Sequence, residues 1–90
     1  MIVNRDGKDY PEHAPGFIQD FYEKLNRQIL DELIIYCQHG ETLHFNSEDD
    51  IDLYFFMNHL RINKDLRNLH YSNWIIPYNE IYSIKMDSHL

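Results

Sequence analysis

The chain has 90 residues, of which 43% are hydrophobic and 14% aromatic, and its formal charge is -7. This length limits the fold to one domain, and the apolar content excludes a wholly disordered chain because it suffices for a core. A single cysteine excludes an internal disulfide and a cysteine-rich zinc module. The excess of acids disfavours direct binding to nucleic acid, and it favours either plain solubility or approach to a basic surface of another protein.

The amino-terminal segment 1–16 is predicted to be extended and irregular, and residues 17–90 to form an α+β core. Ile2-Val3 followed by Asp6-Gly7 indicates a short extended piece and a turn, and two prolines further on block a helix. No signal-peptide pattern and no apolar stretch of membrane-spanning length is present in the sequence. We therefore expect a cytoplasmic protein without membrane contact.

Two helices are predicted from the spacing of apolar residues. The first should cover residues 17 to about 30, and the second residues 48 to about 60. Ser47 is a good N-cap for the second helix, and the acids that follow it complement the positive end of the helix dipole. The residues at helical spacing are Phe17, Phe21, Leu25 and Ile29 in the first helix and Leu53, Phe56, Met57 and Leu60 in the second.

A hairpin is predicted after each helix. Gly40 suits the turn of the first hairpin, and Ser72-Asn73 is expected to be the two-residue turn of the second. The expected strands cover 33–37, 42–45, 66–71, 74–76 and 81–86, with Pro77 at an edge or bend. The predicted fold is therefore a single small α+β domain with an antiparallel sheet of about four strands and two helices, in the order helix, hairpin, helix, hairpin.

Acidic residues concentrate between the first hairpin and the second predicted helix. The candidate partner-binding residues are Glu41, Glu48, Asp49, Asp50 and Asp52, together with Tyr54. One interpretation is a solvated helix start that needs no partner. The other is a binding surface that presents negative charge as phosphates do. The seven tyrosines and the tryptophan favour a protein partner or a homodimer, because these residues are enriched at interfaces.

Cys37, His39 and His44 are the candidate zinc ligands, because they lie close together around the first hairpin. A fourth ligand is not identifiable, and an incidental role for all three is the alternative. The sequence contains no nucleophile motif, no phosphate-binding loop and no cofactor motif. We therefore predict that the protein is not an enzyme and has no cofactor.

The hairpin over 33–45, the acid-capped helix predicted after it and the closing strand segment 74–84 resemble a recurrent pattern of hairpin, helix and closing strand. Small acidic proteins of phages and mobile elements of low-GC Gram-positive bacteria show this pattern, and their pool includes anti-CRISPR proteins. The resemblance implies an inhibitor that occludes a basic nucleic-acid-binding surface of a host protein, such as a CRISPR nuclease, without binding nucleic acid directly.

A second resemblance concerns residues 76–84, in which Ile76, Pro77, Ile81 and Ile84 look like the end of YolD-like proteins. It implies an Sm-like barrel and an oligomeric regulatory module linked to DNA repair. The helix predicted over 48–60 departs from that barrel. A small regulator stabilised by zinc is a further alternative.

Overall fold

The computed structural model describes residues 2–5, 11–25, 29–66 and 70–88. Seven strands, one α-helix and one 3-10 turn lie in these ranges. In chain order they are β1 (Ile2–Arg5), α1 (Gly16–Lys24), β2 (Leu30–Cys37), β3 (Thr42–Asn46), β4 (Asp50–Phe55), β5 (His59–Leu66), β6 (His70–Pro77), the 3-10 turn (Tyr78–Glu80) and β7 (Ile81–Ser88).

The strands form two sheets. The four-stranded sheet has the order β1-β4-β5-β6, in which β1 runs parallel to β4 and the other pairs are antiparallel. The three-stranded sheet has the order β3-β2-β7 and is antiparallel throughout. A short corner at 47–49 leads from β3 directly into β4, so consecutive strands belong to different sheets.

One hydrophobic core is shared by both sheets and α1. Strand β3 alternates between exposed and buried residues, which is the period of two expected when one face of a sheet covers a core. The helix has nine residues, too few to be stable alone, so it depends on packing. Its Phe21 and Tyr22 rings lie 5.8 and 5.1 Å from the ring of Phe55 in β4.

The helix predicted over 48–60 is wrong, because this segment forms β4 and β5. In β4 the side chains of Ile51, Leu53 and Phe55 are buried, and the residues between them are half-buried. This period of two matches a strand, and the apparent helical spacing arises because Phe56 and Met57 are also apolar. Both of these residues are exposed in the loop between the strands. The predicted order of helix, hairpin, helix, hairpin is wrong for the same reason.

Several predicted boundaries also differ. The helix ends at Lys24 instead of near residue 30, and Leu30 already begins β2. Ser72 and Asn73 lie inside β6 and not in a turn. The strand predicted over 66–71 falls partly, and the turn predicted at Asp6-Gly7 wholly, on residues that lie outside the described part of the chain.

Other predictions are confirmed. The fold is a small single domain that mixes helix and strand, with largely antiparallel sheets, and Ile2-Val3 is extended. The first hairpin forms between β2 and β3, and Gly40 in its turn has a φ of 84°, which other residues rarely adopt. Leu43 and Phe45 are buried on one face of β3 as expected.

Candidate binding surface

The outer face of the four-stranded sheet, which points away from the core, collects many of the polar residues of β4, β5 and β6. Strand register places directly opposed residues side by side on the same face. One row consists of Asp52, Asn63 and Asn73, and the next consists of Tyr54, Arg61 and Ile75. This face therefore changes from acidic at one end to aromatic and apolar at the other.

Three of the candidate residues, Glu48, Asp50 and Asp52, form a group that we call the acidic end of this face. Asp50 and Asp52 share the outer face of β4, since alternate residues of a strand point the same way and lie about 7 Å apart. Asp50 is exposed and Asp52 is half-buried. Glu48 is exposed in the adjoining corner, where its backbone N–H donates to Asn46 Oδ1 at 3.2 Å. The acidic end therefore spans the corner and the start of β4.

Asp49 has a structural role at the corner. Its carboxylate accepts a hydrogen bond from the backbone N–H of Asn46 at 2.8 Å and lies 3.0 Å from Lys64 Nζ. Burial opposes ionisation of Asp49, but the Asn46 N–H and the Lys64 ammonium outweigh it and lower the pKa of the carboxyl below its usual value. The side chain of Asp49 thus fastens the corner to β5.

Glu41 lies away from the acidic end. It sits in the turn between β2 and β3, whereas the corner follows the other end of β3. A five-residue strand is about 17 Å long, so the turn and the corner are well separated. Its neighbour there is Glu80, and both carboxylates act on the thiol of Cys37. Of the five acids that are close in sequence, four therefore lie in the corner and at the start of β4, and Glu41 lies apart in the hairpin turn.

Tyr54, the last candidate residue, is half-buried beside Arg61, whose guanidinium lies 5.8 Å from the centre of the ring. Two polar atoms in this part of the sheet are buried without a hydrogen-bond partner among the described residues: Nε of Arg61 itself and Oδ1 of the nearby Asn63. Asn63 is 5% exposed. Such atoms cost free energy unless a hydrogen-bond partner satisfies them.

Arg61 and Asn63 are not among the site residues predicted from the sequence, because they directly follow the helix predicted over 48–60. Read as a strand, the segment Leu60-Arg61-Ile62-Asn63 alternates between apolar and polar residues. That alternation would have placed both polar side chains on one face.

An apolar groove of about 670 Å³ adjoins the aromatic end of the face. Met57 and Ile75 in its wall are 72% and 64% exposed. The loop at 56–58 is held in place beside it: the Tyr78 hydroxyl donates to the Phe56 carbonyl at 2.6 Å, and the Tyr78 N–H donates to the Asn58 carbonyl at 3.1 Å. Burial raises the pKa of Tyr78 to about 12.

The three candidate zinc ligands do not converge. Cys37 packs against the core from β2, His39 is exposed in the hairpin turn, and His44 is exposed with Nε2 3.0 Å from Glu32 Oε2. Burial, and then the charges of Glu41 and Glu80, raise the pKa of the Cys37 thiol, which disfavours the thiolate that a metal requires. Within the described ranges no group of three or more His, Cys, Asp or Glu residues is placed to hold a metal ion.

Comparison with other proteins adds no assignment: the chain matches none of the protein-family models, curated proteins or solved structures with which it was compared. Among the described residues, no helix has both the length and the apolar character needed to cross a membrane.

Proposed function

We propose that this chain is a non-enzymatic binding protein that occludes a basic nucleic-acid-binding surface of another protein, such as a CRISPR nuclease. One observation carries the proposal: within the described ranges, the cations Lys64 and Arg61 of the neighbouring strand are held within the molecule, whereas Glu48 and Asp50 are exposed. Lys64 is paired with Asp49, and Arg61 lies over the ring of Tyr54. The negative charge of this region is therefore directed outward.

A strand is a suitable support for such charges. Asp50 and Asp52 belong to β4, which is paired with β1 on one side and β5 on the other, so their positions are fixed before a partner arrives. Carboxylates form strong, charge-assisted hydrogen bonds with the arginines that line nucleic-acid grooves. Attraction between opposite charges also speeds the encounter, and salt weakens it.

The experiment measures DNA cleavage by purified CRISPR nucleases in the presence of the protein. We expect the unmodified protein to inhibit a nuclease and to compete with its DNA. The variant with Glu48→Lys, Asp50→Lys and Asp52→Lys should lose this inhibition while its circular dichroism spectrum stays the same. Asp49 is left unchanged because its replacement would disturb the corner.

The matched control reverses three exposed acids elsewhere: Asp20, Glu41 and Asp87. It changes the net charge by the same amount, so it should retain inhibition if the position of the acids matters. Equal loss of inhibition in both variants would mean that net charge alone explains the effect. Unchanged inhibition by the first variant would show that the acidic end is not the contact. Absence of inhibition and of DNA competition throughout a nuclease panel would refute the nuclease partner.

A second candidate is the YolD-like regulatory module, and the strand order supports it. The helix predicted over 48–60 was the feature that departed from an Sm-like barrel, and this segment forms β4 and β5 instead. The chain bends at the corner from one sheet into the other, and after the 3-10 turn its strand β7 pairs with β2. Strands that switch sheets at such bends are typical of small barrels.

Light scattering combined with size-exclusion chromatography separates the two candidates. A stable oligomer of defined size that binds none of the nucleases favours the regulatory module. A monomer that forms a complex with a nuclease favours the inhibitor.

A further inference from the structure

We propose that two copies of this chain associate through β7, whose residues 84–88 pair antiparallel with the same residues of the second copy. The two-fold axis passes at Met86, and the three-stranded sheets of the two copies join into one continuous sheet. The corner that carries the acidic end follows β3, at the opposite edge of the three-stranded sheet, so this dimer does not depend on the proposed function.

The outer edge of β7 is open to another strand. β7 has eight residues and stands last in the order β3-β2-β7, so among the described strands it pairs with β2 alone. The N–H and C=O groups along the other edge of such a strand are a template for pairing with another chain. The strand is regular over 83–88, because the extra residue of one register shift is Asp31 in β2 and that of the other is Tyr82.

A groove of about 350 Å³ lies between this edge and α1. Its wall includes Ser83 and Ile84, which are neighbours in a strand and therefore point to opposite faces of the sheet. A groove that both side chains line must lie at the edge of the strand. Phe17 in the wall formed by α1 is 38% exposed, so a strand added to β7 would cover apolar surface that the single chain leaves in water.

The charges of β7 favour a second copy as the added strand. Lys85 and Asp87 are exposed and share the outer face of the sheet, because Met86 between them packs against the core. In antiparallel pairing centred on Met86, Lys85 of each copy stands directly opposite Asp87 of the other, so two pairs of opposite charge form. A shift of the centre to Lys85 or to Asp87 would instead place two like charges opposite each other.

The surroundings of Asp87 within the chain also favour an incoming lysine. On the side of β2, Asp87 stands directly opposite Glu32, and like charges in this position destabilise a sheet. Glu32 is hydrogen-bonded to His44, whereas Asp87 makes no ion pair with a cation of the described ranges. Lys85 of the second copy supplies the opposite charge on the other side of Asp87.

The net charge of -7 does not prevent this contact, because the charges at the edge balance. The groove and the edge carry Asp20 and Lys24 on α1 and Lys85 and Asp87 on β7. Repulsion between exposed charges that are farther apart than about 8 Å is largely screened at physiological ionic strength. An extended segment of another protein would meet the same open backbone, but a second copy brings the matching charges in register.

The experiment measures the mass of the full chain by light scattering over a series of concentrations. We expect the mass to rise from 11.0 kDa toward twice that value. Lys85→Asp and Asp87→Lys should each weaken dimerisation by at least about tenfold, because each places like charges opposite one another in both symmetric pairs. These variants change the net charge in opposite directions, so a loss common to both is not an effect of net charge. The double variant, which exchanges the two charges, should dimerise like the unmodified chain.

An equimolar mixture of the two single variants provides a sharper test. The mixture should form a mixed dimer, since carboxylates of one chain then meet lysines of the other in both pairs. Glu41→Lys is the matched control, because it reverses an exposed acid in the hairpin turn of the same sheet and should leave dimerisation unchanged. Hydrogen exchange at 84–88 should slow as the concentration of the unmodified chain increases.

A chain that stays monomeric at every concentration overturns the proposal. An oligomer larger than a dimer also overturns it, because this symmetric pairing closes with two copies. A dimer that is unaffected by both single variants, or that protects other strands instead of β7, uses another surface and has the same consequence. Nuclease inhibition should be unchanged in the Asp87→Lys variant, so failure of the dimer and failure of the proposed function are distinguishable.

Discussion

At the scale of single residues, Asp49 and Asp50 show how neighbouring acids acquire different roles. Asp49 is turned toward Asn46 and Lys64, whereas Asp50 is exposed on the outer face of β4. The sequence predicted an acidic surface here, but it could not separate these two residues. Their roles differ because Lys64 of β5 pairs with Asp49. The spacing of residues along the sequence does not reveal that contact between two segments.

Replacing Asp49 by Asn should lower the free energy of unfolding by about 1 kcal/mol at neutral pH, since charged hydrogen bonds are lost. The pKa of Asp49 is lowered in the folded state, so its contribution is present above the unfolded pKa of about 4 and disappears as the pH falls through the folded pKa. Urea unfolding at neutral and acidic pH should show the difference between the two proteins shrinking in acid. Asp50→Asn is the control, and identical curves for both variants would contradict the role of Asp49.

Tyr78 gives a prediction at the opposite end of the pH scale. Its pKa is raised to about 12, so its contribution is complete below the unfolded pKa of about 10 and is lost as the pH rises through 12. Ultraviolet absorbance should show one of the seven tyrosines ionising late, and Tyr78→Phe should remove that step. The same variant loses the hydrogen bond to Phe56, and unfolding at neutral pH should cost about 1 kcal/mol less. Persistence of the late step would assign it to another tyrosine.

At the scale of elements, the helix α1 and the strand β4 depend on each other. The stripe of apolar residues predicted the start of α1, and its Phe21 is buried, but the helix is shorter than predicted: Phe17 is 38% exposed and Ile29 lies beyond the helix. For residues 51–57 the same rule failed, since a run of apolar residues satisfies a period of two and a period of 3.6 alike. Pairing of β4 with β1 and β5 decides which alternate residues are buried. The local spacing of apolar residues does not reveal this pairing.

Phe55 tests the attachment of α1. Phe55→Ala should lower the free energy of unfolding by about 3–5 kcal/mol, because it leaves a cavity against Phe21 and Tyr22. Hydrogen exchange within α1 should then accelerate more than exchange in β2. Phe56→Ala is the matched control at the next position, where the side chain is 42% exposed, and it should leave α1 protected. Equal effects of the two variants would contradict this arrangement.

At the scale of the whole molecule, a contact between β3 and β6 joins the two sheets. The Phe45 and Trp74 rings meet edge to face with their centres 5.5 Å apart, and Lys64 Nζ lies 5.9 Å from the centre of the Phe45 ring. The sequence predicted the hairpin that contains Phe45, since turn and alternation are both local. It did not predict two sheets, because nothing within β3 indicates that the next strand belongs elsewhere.

Trp74 is the single tryptophan and therefore reports on this junction by fluorescence. Phe45→Leu should shift the emission of Trp74 to longer wavelength and lower the free energy of unfolding by about 1 kcal/mol. The reason is that the smaller side chain admits water between the two sheets. Tyr82→Leu is the control, since Tyr82 is exposed and contacts Tyr36 in the three-stranded sheet. A shift of equal size in the control would mean that the emission of Trp74 does not report on the contact between the two sheets.

The pairing of β1 with β4 and of β2 with β7 has a consequence for how the chain folds. Ile2 pairs with Asp50, and Leu30 pairs with Ser88, so each pairing closes a long loop. The entropy cost of closing such a loop arises before contacts with neighbouring strands can offset it. Chains dominated by such distant pairings fold slowly, in about milliseconds to seconds. The local hairpin of β2 and β3 can form early, but the three-stranded sheet is completed when β7 arrives. Folding should therefore be limited by the search for these distant partners and not by formation of the helix.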